Sequence, residues 1–86
     1  MILDQINLNY LRIFESVYRT RSMTQAAQEL HLTQSGISQH IRSLEDSLEI
    51  KLFDRIKQKL IPTAAGNKLY EDVSPQLKNL EQPLHR

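Results

Sequence analysis

Small and amide-bearing side chains cluster at residues 33–39, a stretch that contains no charged residue. An exposed helix face more usually carries Glu, Lys, Arg or Ala, because these residues favour helix formation. Hydroxyl and amide groups can both donate and accept hydrogen bonds. The stretch therefore predicts a surface that contacts a partner with mixed donors and acceptors. Its polar members are Thr33, Gln34, Ser35, Ser38 and Gln39, with Gly36 between them.

A basic run follows at residues 51–68, in a chain whose formal net charge is only +1. Residues 1–50 and 69–86 are each slightly negative. A local basic cluster indicates an anionic partner, although on charge alone a solvated surface explains the run equally well. The run holds Lys51, Arg55, Lys57, Lys59 and Lys68 against Asp54 alone.

Apolar periodicity places both groups in a mainly α-helical chain. A first helix is predicted over about residues 7–20, with Asn7 as its N-cap. A short second helix is predicted over about residues 25–31. Its cap is either Ser22, which lies at the capping-box spacing from a glutamine, or Thr24.

A third helix is predicted from its cap, Thr33, to about Leu48. Two short helices joined by a tight turn, the first rich in alanine, are typical of a helix-turn-helix. We expect Ala27 where these helices approach most closely, Leu32 filling the gap between them, and Ile37 seating the third helix on the second. This packing directs Gln34, Ser35, Ser38, Gln39 and Arg42 outward.

Two short apolar pairs, Leu52–Phe53 and Leu60–Ile61, flank the basic stretch and predict a β-hairpin that ends at Pro62. Side chains at alternate positions of a strand point to the same face. The alternating basic residues are therefore expected to project to one side of the hairpin. They are Arg55, Lys57 and Lys59.

A fourth helix is predicted from Thr63, with an apolar stripe at steps of four, four, three and four residues. The stripe is long for a helix with so little protein left to cover it, which predicts a homodimer interface. Pro75 lies within it and is expected to kink the helix or interrupt its hydrogen bonds. In this interpretation residues 1–62 form a helix-turn-helix domain with a hairpin wing, and residues 63–86 form a dimerisation helix. The stripe consists of Leu69, Val73, Leu77, Leu80 and Leu84.

The third helix and the hairpin together favour double-stranded DNA as the partner. A helix that enters the major groove presents its N-terminal residues to base edges and phosphates. Glutamine can bond the adenine edge bidentately, and serine suits several bases. A basic hairpin beside it would contact the flanking backbone or minor groove, which gives affinity and register. The predicted contacts are Thr24, Thr33, Gln34, Ser35, Ser38, Gln39, Arg42, Arg55, Lys57 and Lys59.

The stretch from Leu8 to Arg55, followed by "IPTAAG" at residues 61–66, resembles the N-terminal domain of the LysR-type transcriptional regulators. The resemblance implies a winged helix-turn-helix, a linker helix that pairs antiparallel with its mate, and binding to interrupted inverted repeats. It also implies higher oligomers and a small-molecule effector domain in full-length members; with no such domain here, an excised fragment is expected. The matching positions are Leu11, Phe14, Val17, Ser22, Thr24, Ala26, Ala27, Leu30, Gln34, Ser38, Ile41, Leu44, Glu45, Leu48, Leu52, Phe53, Arg55, Thr63 and Gly66.

Four positions depart from the family pattern. Arg21 and Glu49 stand where the family often has glycine, so another residue has to provide the left-handed cap expected after the third helix. Ser35 stands where proline is frequent. Gln39 replaces a frequent arginine, which changes the charge and reach of one commonly used DNA contact. These departures bear on which DNA sequence is preferred.

The alternative interpretation is a winged-helix module for protein–protein association, with the leucine stripe as its active surface and no DNA binding. The two interpretations differ in their dependence on salt. DNA binding weakens steeply, since log K falls by about 0.9 per neutralised phosphate for each unit of log salt. An interface made by leucines is nearly indifferent to salt.

Other classes of function are disfavoured. The chain has no cysteine, which excludes disulfides, thiolate zinc sites and cysteine nucleophiles. His31, His40 and His85 show no metal-ligand spacing, so neither a metal nor a cofactor is expected. We expect His31 in a turn and His40 as a solvated imidazole or a phosphate contact. Glu45 and Asp46 point to different sides of a helix and no phosphate loop is present, which argues against an enzyme.

No apolar stretch approaches the roughly 20 residues of a membrane span. The N-terminus lacks the basic start and apolar run of a signal peptide. We therefore expect a cytoplasmic protein without a membrane partner.

Overall fold

A computed structural model describes the backbone of residues 8–81 and the side chains of residues 8–74. Three helices come first, α1 (Leu8–Thr20), α2 (Met23–Leu30) and α3 (Gln34–Leu48). An antiparallel hairpin of β1 (Phe53–Ile56) and β2 (Lys59–Pro62), here called the wing, separates them from α4 (Ala64–Glu81). This order confirms the predicted winged helix-turn-helix. The predicted cap Asn7 lies outside the described residues.

Helix α1 lies at the centre of the fold and packs against α2, α3 and α4. Phe14 and Val17 are completely buried there, and the Phe14 ring lies 5.6 Å from that of Phe53 at the start of the wing. Ile37 and Leu44 bury the inner face of α3 in the same core. Burying side chains of this size stabilises a fold by about 1.5–3 kcal/mol each. The core thus holds α3 and the wing on one body.

The helix caps follow local hydrogen-bonding chemistry. Ser22 caps α2, because its hydroxyl accepts the backbone N–H of Gln25 at 3.0 Å. The Ser22 N–H donates to the hydroxyl of Thr20 at 3.2 Å, so a threonine completes this cap. Thr33 caps α3 as predicted and accepts the N–H of Gly36 at 3.0 Å. Of the two caps predicted for α2, Ser22 is the one found.

Each of the first three helices is followed by a non-glycine residue in the left-handed conformation. These residues are Arg21, His31 and Glu49, with φ of 55°, 59° and 57°. Glu49 itself provides the cap of α3, since its N–H donates to the Asp46 carbonyl at 3.2 Å. The left-handed region costs an L-residue about 1–2 kcal/mol. His31 lies in the turn after α2, as predicted.

The prediction for Leu32 is wrong. Its side chain is 45% exposed, in a surface groove that Leu30 and Ile13 also line. Its backbone N–H donates to the Ala27 carbonyl at 2.9 Å and closes the end of α2. Ala27 and Ile37 are already buried in the core, so the helix contact does not need Leu32.

A polar network joins α1 to α2. The buried Ser16 hydroxyl donates to the Glu29 carboxylate at 2.6 Å. Arg19 donates to the same carboxylate and to that of Glu15. The hydrogen bond from Arg19, and then that from Ser16, lowers the pKa of Glu29. The carboxylates of Glu29 and Glu15 in turn raise the pKa of Arg19.

The wing has a two-residue turn at positions 57–58, both with positive φ, of the kind that joins tightly twisted strands. Arg55 pairs with Leu60, and Ile56 pairs with Lys59. Opposite residues of an antiparallel pair share a face, while consecutive residues alternate. Arg55 and Lys59 therefore point to opposite faces and Lys57 lies in the turn. The expectation that all three project to one side is wrong, because the turn shifts the alternation.

Helix α4 buries part of its apolar stripe within the domain. Leu69 is 9% exposed and Val73 is 0% exposed, both in the common core. Beside them the rings of Tyr18 and Tyr70 stack with centroids 4.0 Å apart. Leu69 and Val73 are thus unavailable to a second chain, which corrects their assignment to a dimer interface. The side chains of Leu77 and Leu80, and all of Leu84, lie outside the described part.

Pro75 does not end α4, because the backbone is helical from Ala64 to Glu81.

The close approach of α4 to the segment just before β1 requires a glycine at one point. A Cβ on Gly66 would collide with the carbonyl oxygen of Leu52.

Candidate nucleic-acid interface

The polar residues of α3 form one continuous surface, here called the recognition face. Gln34, Ser35, Gln39 and Arg42 are exposed and Ser38 is half-buried. All five line the same shallow depression. Ile37, Ile41 and Leu44 occupy the opposite side of the helix and are buried. The predicted outward placement of the five side chains is confirmed.

Thr33 and Gly36 shape the N-terminal end of the recognition face. The Gly36 N–H donates a hydrogen bond to the Thr33 hydroxyl. A Cβ on Gly36 would lie only 3.0 Å from that hydroxyl oxygen. Glycine at position 36 thus leaves space for the Thr33 side chain to cap the helix. The N-terminus of α3 carries a partial positive charge, which lies at the surface.

Thr24 reaches the recognition face from α2. Its hydroxyl donates to Oε1 of Gln34 at 3.2 Å, and both side chains are exposed. Thr24 thus lies beside Gln34, the first residue of α3, next to the other predicted contacts on the recognition face.

The wing places Arg55 beside the recognition face. Arg55, Thr24 and Gln34 line one groove, which also runs along residues 58–61 of the wing. Arg55 also lines a second groove with Ser38 and Arg42. Both grooves connect the wing to α3, so the basic hairpin lies on the same side of the molecule as the predicted face. Lys57, at the exposed tip, lines neither groove.

The cations of this surface have no acidic partner among the described residues. The ion pairs formed within the described part of the chain involve Arg19 and Lys68. The unpaired cations are Arg42, Arg55, Lys57 and Lys59. An exposed arginine or lysine without a carboxylate partner is available to an anionic backbone.

Glu45 positions the wing, a role that sequence reasoning missed. Its carboxylate accepts the N–H of Leu52 at 2.7 Å and that of Phe53 at 3.3 Å. These bonds tie the C-terminal half of α3 to the start of β1. The signal was absent from the sequence, because a carboxylate eight residues before a strand has no local pattern.

Thr63 fixes the other end of the wing. Its hydroxyl donates to the Lys51 carbonyl at 2.7 Å and accepts the Gly66 N–H at 3.1 Å. Its own N–H donates to the Leu52 carbonyl at 3.0 Å. One threonine therefore joins the segment before β1 to the start of α4.

His40 was expected to be a solvated imidazole or a phosphate contact, but its side chain is instead held within the domain. Its Nδ1 donates to the Gly36 carbonyl at 2.7 Å, and its ring lies 5.2 Å from that of Tyr10. The imidazole is half-buried on the side of α3 that faces α1.

Within residues 8–74 no three His, Asp or Glu residues lie together as metal ligands. No helix among the described residues is long and apolar enough to cross a membrane.

Comparisons with known proteins point to one family. A family model described as "Bacterial regulatory helix-turn-helix protein, lysR family" matches residues 8–67. The RuBisCO operon transcriptional regulator of Allochromatium vinosum is 37% identical over 82 residues, which cover 92% of this chain and 27% of the relative. The glycine cleavage system transcriptional activator of Escherichia coli (strain K12) is 40% identical over 75 residues, which cover 87% of this chain and 25% of the relative.

The fold has a solved counterpart on DNA. The protein in the crystal structure of the BenM DBD/catB site 1 DNA complex is similar to this chain with a TM-score of 0.83 and 32% identity. The likeness covers 90% of this chain and 86% of that one. The chain spans about a quarter of the length of the two curated relatives.

Proposed function

Since this chain belongs to the lysR family of bacterial regulatory helix-turn-helix proteins, we propose that it binds double-stranded DNA sequence-specifically as part of a cytoplasmic transcriptional regulator. The observation that carries the proposal is the grouping of exposed neutral side chains on α3 with unpaired cations on the adjoining wing. Neither group alone would indicate DNA. Together they match the two kinds of contact that specific binding needs, to base edges and to phosphates.

The recognition face lies in the major groove in this proposal. Gln34, Ser35, Ser38 and Gln39 face base edges, which present mixed donors and acceptors. Arg42, one turn further along α3, reaches either a base or the backbone. Thr33 lies at the N-terminal edge of α3, where the end of the helix favours a phosphate, and Thr24 lies beside Gln34.

The wing contacts the DNA backbone beside the groove. Arg55 is its main contact, because it lies in the grooves shared with α3. Lys59 and the tip residue Lys57 reach phosphates further out. These contacts add affinity without sequence information.

Two copies are proposed to bind an interrupted inverted repeat through a dimer. Pairing through the far part of α4 would place two recognition helices about one DNA turn apart, roughly 34 Å, or farther. Leu77, Leu80 and Leu84 are the stripe residues assigned to this contact. Higher oligomers and a response to a small molecule would require a further domain.

Binding-site selection from random duplexes at fixed salt tests the proposal. The selected duplex and a scrambled one are then titrated at several salt concentrations. We expect a defined sequence preference and a linear fall of log K with log salt, with a slope of about 0.9 per phosphate contacted. A protein that selects no sequence, or whose binding does not respond to salt, would contradict it.

The protein–protein alternative lacks support from the fold. Its proposed surface includes Leu69 and Val73, which are buried in the domain. The exposed recognition face would have no role in it.

A further inference from the structure

Thr24 and Gln34 form a hydrogen bond that joins the two helices of the helix-turn-helix at the surface. The Thr24 hydroxyl donates to Gln34 Oε1 at 3.2 Å across ten positions of sequence. Both side chains are exposed and line the groove that also holds Arg55. Such a bond contributes little to folding, because water offers both groups equivalent partners. Its location therefore points to a role in binding.

The bond determines which end of the Gln34 amide is available. A glutamine amide has an acceptor oxygen and an NH₂ group with two donors. Because Thr24 occupies one of the two lone pairs of Oε1, Nε2 is the group of the amide that keeps all of its hydrogen-bonding capacity for a partner. Bidentate recognition of adenine would instead need Oε1 to accept from the N6 amino group. The observed orientation suits a base edge that presents a keto oxygen, as guanine O6 and thymine O4 do.

We propose that Thr24 is a positioning residue for base recognition, which presents Nε2 of Gln34 to the keto oxygen of a guanine or thymine in the major groove. The inference rests on the proposed function, since it requires Gln34 to face a base pair. Ordering the glutamine side chain before binding also reduces the conformational entropy lost in the complex. Thr24 acts through Gln34 and makes no essential phosphate contact of its own.

The first test uses the whole chain and modified duplexes. The base pair that Gln34 faces is identified on the selected site as the one whose discrimination Gln34→Ala relaxes. At that pair, one duplex carries a base analogue without the keto oxygen, and a second carries an analogue without the exocyclic amino group. We expect the first to weaken wild-type binding and the second to leave it unchanged. The reverse result would overturn the proposal.

The second test compares variants on the selected and a scrambled duplex. Thr24→Val should reduce discrimination at that base pair about two- to tenfold, the worth of one hydrogen bond, with unchanged affinity for the scrambled duplex. Thr24→Ser keeps the hydroxyl and should behave as wild type. In the Gln34→Ala background, Thr24→Val should have no further effect at that pair.

The outcomes separate the proposal from its alternatives. Equal weakening of both duplexes by Thr24→Val would make Thr24 a phosphate contact and overturn the proposal, as would unchanged discrimination. If the wild-type chain selects no sequence, the proposed function itself fails and the inference with it. The analogue duplexes are bound by the wild-type chain and do not depend on Thr24→Val, so they test the presentation of Nε2 even if that variant does not fold.

Discussion

At the scale of single residues, specificity and affinity are carried by different side chains. Gln34 is exposed at the start of α3, and we expect Gln34→Ala to cost on the order of 1–3 kcal/mol on the selected site. Discrimination should be lost at one base pair, because only the groups opposite that side chain lose a partner. Dissociation constants on the selected duplex and its single-pair variants measure this. Equal loss on every duplex would make Gln34 a residue that only positions the protein.

Arg55 is expected to act on all sequences alike. It has no carboxylate partner among the described residues, so Arg55→Ala should weaken every duplex and reduce the salt slope by about one unit. Lys68→Ala is the matched control, because Lys68 lies on α4 and pairs with Asp72 at 3.5 Å. The salt dependence of binding, followed by fluorescence anisotropy, compares the two. An unchanged slope in Arg55→Ala would remove this arginine from the phosphate contacts.

At the scale of helices, the end of α3 is less stable than it could be. Glu49 takes the left-handed conformation and puts a negative charge at the negative end of the helix dipole. We expect Glu49→Gly to raise the free energy of unfolding by about 0.5–1 kcal/mol. Glu49→Gln removes the charge and keeps the backbone cost, so it should recover only part of the gain. Urea unfolding measures both; a less stable glycine variant would contradict the account.

Arg21 shows why the same exchange should gain less after α1. Its guanidinium lies 4.9 Å from the centre of the Tyr18 ring, and Nε donates to the Tyr18 carbonyl at 2.7 Å. Arg21→Gly relieves the left-handed backbone but loses these contacts. We therefore expect a smaller increase in stability than for Glu49→Gly, or none, in the same urea titration.

The contact between α1 and α2 should depend on pH. The pKa of Glu29 is lowered by its bonds from Arg19 and Ser16. Its contribution to stability is therefore fully present above the ordinary value of 4.5 and is lost as pH falls through the lower folded value. Glu29→Gln should remove this part of the acid dependence. Thermal unfolding between about pH 6 and pH 3 compares the two proteins; parallel curves would exclude Glu29 as a source.

At the scale of the whole molecule, local patterns were predictable and their combination was not. Periodicity predicted the helices, and cap chemistry predicted Thr33 and narrowed the cap of α2 to Ser22 or Thr24, because both depend on neighbours within about four residues. The wing was recognised, but its faces were wrong because alternation does not continue through a two-residue turn. The bonds of Glu45 to β1 and of Thr24 to Gln34 join segments that only the tertiary fold brings together. The burial of Leu69 and Val73 in the core of the domain is likewise a result of tertiary packing, which the spacing of the apolar stripe does not show.

The proposed dimer uses the part of the α4 apolar stripe that follows Leu69 and Val73. A chain of 86 residues buries only about 60–65% of its unfolded surface, so added burial through dimerisation is a substantial gain. The stripe is used by the domain at Leu69 and Val73, and its helical spacing continues at Leu77 and Leu80. We expect the pair of changes Leu77→Ala and Leu80→Ala to shift the protein towards monomer.

Sedimentation at several protein concentrations measures this shift, and titration of duplexes with one or two half-sites measures its effect on binding. The double variant should lose affinity for the inverted repeat and keep its affinity for a single half-site, because each recognition face is intact. Glu71→Ala and Asp72→Ala, at exposed positions of α4, serve as matched controls. A wild-type protein that sediments as a monomer at all concentrations would contradict the dimer, and a double variant that remains a dimer would place the contact outside this stripe.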